Sequence, residues 1–148
     1  MNKRLDALNS KIVAALQKNA RTSFAALGRT IGLTPPAVAE RVKKLEDTGV
    51  LLKYDTKVAY SKMGYQFKAM ITLRAFVGKL KPFLEVVKTY SEVINCYRIT
   101  GNENIMMEVV LRDQVHLEKF IDTLIQYGET RTHIILSEVV SSAPLKEL

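Results

Sequence analysis

Ten side chains in the first sixty residues have the types and spacing to grip a polyanion. Arg21, Arg29, Lys43, Lys44 and Lys53 carry fixed positive charge suited to phosphate oxygens. Thr34, Pro36, Ala37, Glu40 and Arg41 fall on or just before the first turns of one stretch of helical periodicity. On duplex DNA, charges of the first kind neutralise phosphates and fix register, while groups of the second kind meet base edges and discriminate sequence. Each has an ordinary reading as a solvated surface residue. Arg41 could instead pair with Glu46 or with an acid of the first helix, which would keep its charge inside the protein. The case for DNA rests on the constellation.

Covalent chemistry finds no comparable set. Cys96 is the only cysteine, and His116 and His133 stand seventeen positions apart. Neither a disulfide framework nor a local Cys/His metal motif follows from that spacing. No glycine-rich phosphate loop is present in the sequence. Cys96 reads as a buried thiol, His116 as a first-turn helix residue and His133 as a structural or surface residue. An enzyme would have to bring Cys96 and His133 together across strands. The expectation is no enzyme, no metal and no cofactor.

Charge is distributed as a DNA-binding reading requires. The 148 residues are 47% hydrophobic and 25% charged, enough for a buried core, with a formal charge of +7. Residues 1–60 hold 11 Lys+Arg against 5 Asp+Glu, a net of +6; residues 61–148 hold 11 against 10, a net of +1. A first domain over 1–60 that faces a polyanion and a second over 61–148 with another task fit this asymmetry. No apolar run approaches the roughly 20 residues of a membrane span, so the expectation is a soluble, unprocessed, cytoplasmic protein associated with the nucleoid.

Three short helices must position the ten side chains. Leu5, Leu8, Ile12 and Leu16 form one apolar stripe; Ser23 can cap a second helix carrying Phe24, Leu27 and Ile31. Gly32 permits a tight turn, Thr34 offers a cap oxygen and Pro35 suits a first helical position, so a third helix is predicted from Pro35 to Thr48. Val38, Val42 and Leu45 pin one of its faces inward, and Pro36, Glu40, Lys43 and Asp47 point the other way, flanked by Arg41 and Lys44. Helix, short turn and helix make a helix-turn-helix, whose second helix enters the major groove. Val50–Tyr54 then reads as a wing strand and 58–64 as a linker.

The second half changes period. Phe67, Ala69, Ile71 and Leu73 alternate as a strand. A helix with Phe83, Leu84 and Val87 follows, then strands over 93–100 and 105–111 joined at Gly101–Asn104. Asp113 can cap a helix carrying Leu117, Phe120, Ile121 and Leu124, with Gly128 ending it and a last strand over 130–140. The fold class predicted is α+β: an N-terminal winged helix-turn-helix and a C-terminal ferredoxin-like βαββαβ domain with a four-stranded antiparallel sheet. The strands carry apolar residues on both parities, as in Met106 with Met107 and Val109 with Val110. A second sheet face left in water would be a large apolar patch, so a homodimer through it is expected, supplying two heads for two half-sites.

With those segments in place, the chain resembles the Lrp/AsnC family of feast/famine regulators. The resemblance is carried by LDALNSKIVAALQKNART, LGRTIGLTPPAVAERVKKLEDTGVL, MGYQ, VINCYRITGNENIMMEV and THIILSEVV, in that order across nearly the whole chain. Pro35-Pro36 with ERVKKLE and THIILSE are most similar to its bacillar LrpC type. The resemblance implies sequence-specific transcription regulation through double-stranded DNA, dimers joined into a higher oligomer such as an octamer, and a response to a small amino acid. An architectural protein that bends or wraps DNA with modest sequence preference is the alternative.

The family's effector motif, a glycine and two aspartates around a variable residue, falls where this chain has Gly101, Asn102, Glu103 and Asn104. Both carboxylates are therefore amides, which offer no charge to a ligand's ammonium group, although Glu103 could supply one from a neighbouring position. Thr130, Thr132, His133, Ile134 and Ser137 fall where the family's late strand contributes to a pocket between dimers. Each also has an ordinary strand reading.

Overall fold

A computed structural model of the chain describes residues 5–144. It divides into two compact units: the residues up to Lys57 together with those from Val139 onward, and Val58–Glu138.

In the first unit, helices α1 (Ala7–Lys18), α2 (Phe24–Ile31) and α3 (Pro35–Asp47) each begin at a side chain that accepts an otherwise unpaired backbone N–H. Asp6 accepts from Asn9 at 2.7 Å, Ser23 from Ala26 at 3.1 Å and Thr34 from Ala37 at 3.4 Å. Ile12, Leu16, Leu27, Val38, Val42 and Leu45 form the core, while Leu5 and Phe24 are exposed. Gly32 takes φ 77°, the left-handed conformation that reverses the chain between α2 and α3.

A second glycine sets how closely the helices approach. A Cβ on Gly28 would lie 2.4 Å from the Leu33 carbonyl oxygen. That close passage lets the N–H groups of Gly32 and Leu33 both donate to the Gly28 carbonyl at 2.9 Å.

The expected wing strand over Val50–Tyr54 does not form. The Val50 and Leu51 N–H groups turn back to the Leu45 carbonyl, and no described strand pairs with the extended residues that follow. Strand propensity needs a partner edge to act. The segment is held by side chains instead: the Tyr54 hydroxyl donates to Glu46 at 2.6 Å, an interaction that pushes the phenol up to about 12.

The second unit is an antiparallel sheet of β1 (Phe67–Ala75), β2 (Val93–Arg98), β3 (Ile105–Leu111) and β4 (Gly128–Ile134) in the order β2-β3-β1-β4. Helices α4 (Leu80–Val86) and α5 (Gln114–Leu124) cover one face. Ala69, Ile71, Leu73, Ile105, Met107, Val109 and Leu111 pack there with Phe83, Val87, Phe120 and Leu124. This is the ferredoxin-like split order.

Three local expectations are corrected. Gly128 opens β4 rather than ending α5; its Cβ would sit 2.2 Å from the Arg74 carbonyl oxygen, so close strand approach is what requires glycine there. β4 stops at Ile134, and Leu136, Val139 and Val140 are exposed. Cys96 is also exposed, because β2 is an edge strand that the helices leave partly open, although burial still raises its thiol pKa.

Candidate nucleic-acid interface

With Val38, Val42 and Leu45 fixed in the core, helical geometry turns Pro36, Glu40, Lys43, Lys44 and Asp47 to the surface, where all five are exposed. Ala37 is half-buried. Arg29 and Arg21 are exposed on α2 and in the turn before it. The Arg21 backbone N–H donates to the Asn19 side chain at 3.0 Å. Lys53 pairs with Asp55 at 2.6 Å. Arg21 and Lys53 also line one open groove of about 960 Å³ with Lys18 and Lys57, two cations the sequence reading did not single out.

Arg41 behaves differently from the other nine. Its Nη1 donates to Asp6 Oδ2 at 2.9 Å and to Asn9 Oδ1 at 3.0 Å, joining α3 to the start of α1. This is the alternative in which an acid of the first helix takes the charge; Glu46 is engaged by Tyr54. The Asn9 backbone bond first, and Arg41 next, hold the Asp6 carboxyl below the usual aspartate value. Arg41 is thus a brace within the first unit.

In the second unit the nine effector positions do not converge. Asn102, Glu103 and Thr130 line a small cleft of about 170 Å³ with Arg74, Glu129 and Arg131. Arg131 and Glu103 lie 3.3 Å apart, and Arg74 and Glu129 3.9 Å. Gly101 makes the hairpin bend at φ 118°. Asn104 is committed to the sheet: its Oδ1 accepts from the Ala75 N–H at 2.9 Å, while its own N–H donates to the Leu73 carbonyl at 3.1 Å. Thr132, His133 and Ile134 lie farther along β4, and Ser137 lies beyond its end. Strand alternation could have flagged Arg74, Glu129 and Arg131, since they share the sheet face opposite the helices, but their pairing depends on the β1·β4 register.

The face that α4 and α5 leave uncovered is mixed. Met70, Met106, Tyr97 and the buried Val110 are crossed by a polar cluster in which Lys68 meets Glu108 at 2.5 Å and Asn95 donates to Glu108 at 2.7 Å. Lys68 foremost holds the Glu108 carboxyl below the usual glutamate value, against the effect of burial. On the covered side, His116 Nδ1 accepts the Arg112 N–H at 3.2 Å, which leaves Nε2 to donate to Glu92 at 2.9 Å.

The strand order separates Cys96 from His133. Cys96 on β2 and His133 on β4 occupy opposite edges, three strand spacings apart, roughly 14 Å at 4.8 Å per strand. Among the described residues no helix is long and apolar enough to cross a membrane.

Comparison with known proteins agrees with this geometry. Residues 5–46 match the AsnC-type helix-turn-helix domain and residues 68–145 the Lrp/AsnC ligand binding domain. The HTH-type transcriptional regulator LrpC of Bacillus subtilis is 32% identical over 136 residues, covering 92% of this chain and 94% of that protein. Its solved structure superposes with a TM-score of 0.88 over 94% of this chain and 99% of that one. The structure of Escherichia coli AsnC, 26% identical, gives 0.82 over 94% and 97%.

Proposed function

The chain belongs to the Lrp/AsnC family, and we propose that it is a transcriptional regulator that binds duplex DNA through α3 and the basic residues around it. The observation that carries this reading is the outward face of α3, held by a buried Val38-Val42-Leu45 stripe within a helix-turn-helix. Lys43, Lys44, Arg21, Arg29 and Lys53 meet phosphates; Thr34, Pro36, Ala37 and Glu40 face the groove.

A second copy covers the mixed sheet face, pairing the heads across two half-sites, and dimers assemble further, with an octamer the expected size. The protein works in the cytoplasm on the nucleoid. The cleft between Glu103 and Arg131 offers both charge signs to a zwitterion, which supports a small amino acid as effector, with Asn104 contributing structure rather than a ligand contact.

The architectural reading is favoured by one feature, the concentration of charge in the first sixty residues beside a groove face that is not solidly basic. Retention of duplex DNA at low salt, followed by specific against competitor binding at fixed salt, tests both. A ratio of only a few-fold assigns the protein to DNA architecture; a ratio of about a thousand or more assigns it to operator recognition. No retention at all overturns the DNA reading. Subunit counting in solution checks the assembly.

A further inference from the structure

We infer that Glu40 is the base-discriminating residue of α3 and that it reads a cytosine through the exocyclic N4 amino group. The inference rests on the proposed role of α3 as the groove element and narrows it to one side chain and one base.

The structure removes the competitors in turn. Pro36 and Ala37 have no side-chain hydrogen-bonding group. Thr34 commits its oxygen to the Ala37 N–H as the helix cap and keeps only a hydroxyl donor, which meets any base-edge acceptor and so does not discriminate as a charged acceptor does. Arg41, a natural reader of guanine, is turned inward onto Asp6 and Asn9. Glu40 remains, exposed and one turn beyond Pro36.

Its surroundings leave the carboxylate open to an incoming donor. Lys43 and Lys44 lie at the i+3 and i+4 positions where helical ion pairs form, yet neither pairs with Glu40, and among the described residues its side chain has no hydrogen bond or ion pair. A carboxylate brought against a phosphate-lined groove is repelled unless a donor compensates it. Ionised, it can only accept. Cytosine presents an amino donor with no acceptor of its own beside it, adenine couples its amino donor to the N7 acceptor, and guanine presents acceptors alone. The chemistry therefore selects cytosine, and Glu40 acts against guanine as much as for cytosine.

Selection from a randomised duplex library at fixed salt, with the full chain, Glu40→Ala and Glu40→Gln, tests this. The unaltered protein is expected to enrich cytosine about tenfold at one position of each half-site. Glu40→Ala should flatten that position, keep the preferences elsewhere and bind random duplex a few-fold more tightly. Glu40→Gln should move the choice to adenine, which an amide can contact through both donor and acceptor. Unchanged cytosine enrichment in Glu40→Ala overturns the inference while leaving DNA recognition standing. Adenine selected by the unaltered protein at the position that Glu40→Ala flattens, or no preference at all, overturns the cytosine assignment. If the unaltered protein retains no duplex, the functional reading fails and takes this inference with it.

Discussion

The Arg41 guanidinium lies 2.9 Å from the carboxylate of Asp6, the residue that caps α1, so one ion pair ties α3 to the first helix of the same unit. A charge used in this way is no longer available to phosphate. Arg41→Ala should therefore lower the melting temperature of the N-terminal unit yet barely alter the salt dependence of DNA binding. Lys43→Ala should do the reverse, reducing the slope of log affinity against log salt by about 0.9 per lost phosphate contact. Titrating both variants with one duplex at several salt concentrations separates the two roles.

Gly28 is a packing requirement with a direct test. Because a Cβ there would meet the Leu33 carbonyl at 2.4 Å, Gly28→Ala must push the turn away from α2. Overpacking of this kind costs about 1–3 kcal/mol against about 1 kcal/mol gained from alanine's better helix propensity, so a net loss of up to about 2 kcal/mol is expected. Urea denaturation should show the loss, and a variant as stable as the parent would mean that the turn yields freely.

The Lys68–Glu108 pair predicts a stability plateau bounded on both sides. Glu108 is held below its ordinary value of 4.5, so its contribution is present above that pH and disappears as pH falls through the lower folded value. Lys68 is raised above its ordinary 10.5, chiefly by the Glu108 hydrogen bond, so its contribution is present below that pH and disappears as pH rises through the higher folded value. Glu108→Gln should weaken both limbs and lower neutral-pH stability by about 1 kcal/mol, the small figure reflecting solvent screening at the partly open Lys68. Denaturation midpoints measured from acid to alkaline pH check the shape as well as the size.

Asn104 separates a structural from a ligand-binding role. Its Oδ1 serves the Ala75 N–H, so Asn104→Ala should destabilise the second unit by about 1 kcal/mol, whereas Asn104→Asp keeps an acceptor and should leave stability nearly unchanged. Thermal unfolding of both variants without any effector decides the point. Equal stability of Asn104→Ala and the parent would return Asn104 to the ligand-contact set.

Much of the scaffold was legible because it depends on short-range pattern. The caps at Ser23 and Thr34, the left-handed Gly32 and the buried stripe of α3 are local rules read within a few residues. Alternation likewise located β1, and the turn at Gly101–Asn104 located β3. Local rules failed where a partner decides the outcome. The residues after α3 have strand propensity but no edge to join, and Gly128 looked like a helix stop because its real constraint, the Arg74 carbonyl, lies 54 positions earlier.

The sequence by itself therefore determined the helix-turn-helix, the order of strands and helices, and which side of α3 faces outward, since periodicity and capping are properties of neighbouring residues. Only the tertiary structure decided that Arg41 turns inward, that Asn104 completes a sheet, and that Cys96 and His133 stand on opposite edges. Those outcomes depend on distances between residues far apart in the chain, which packing and strand register set and no local pattern encodes.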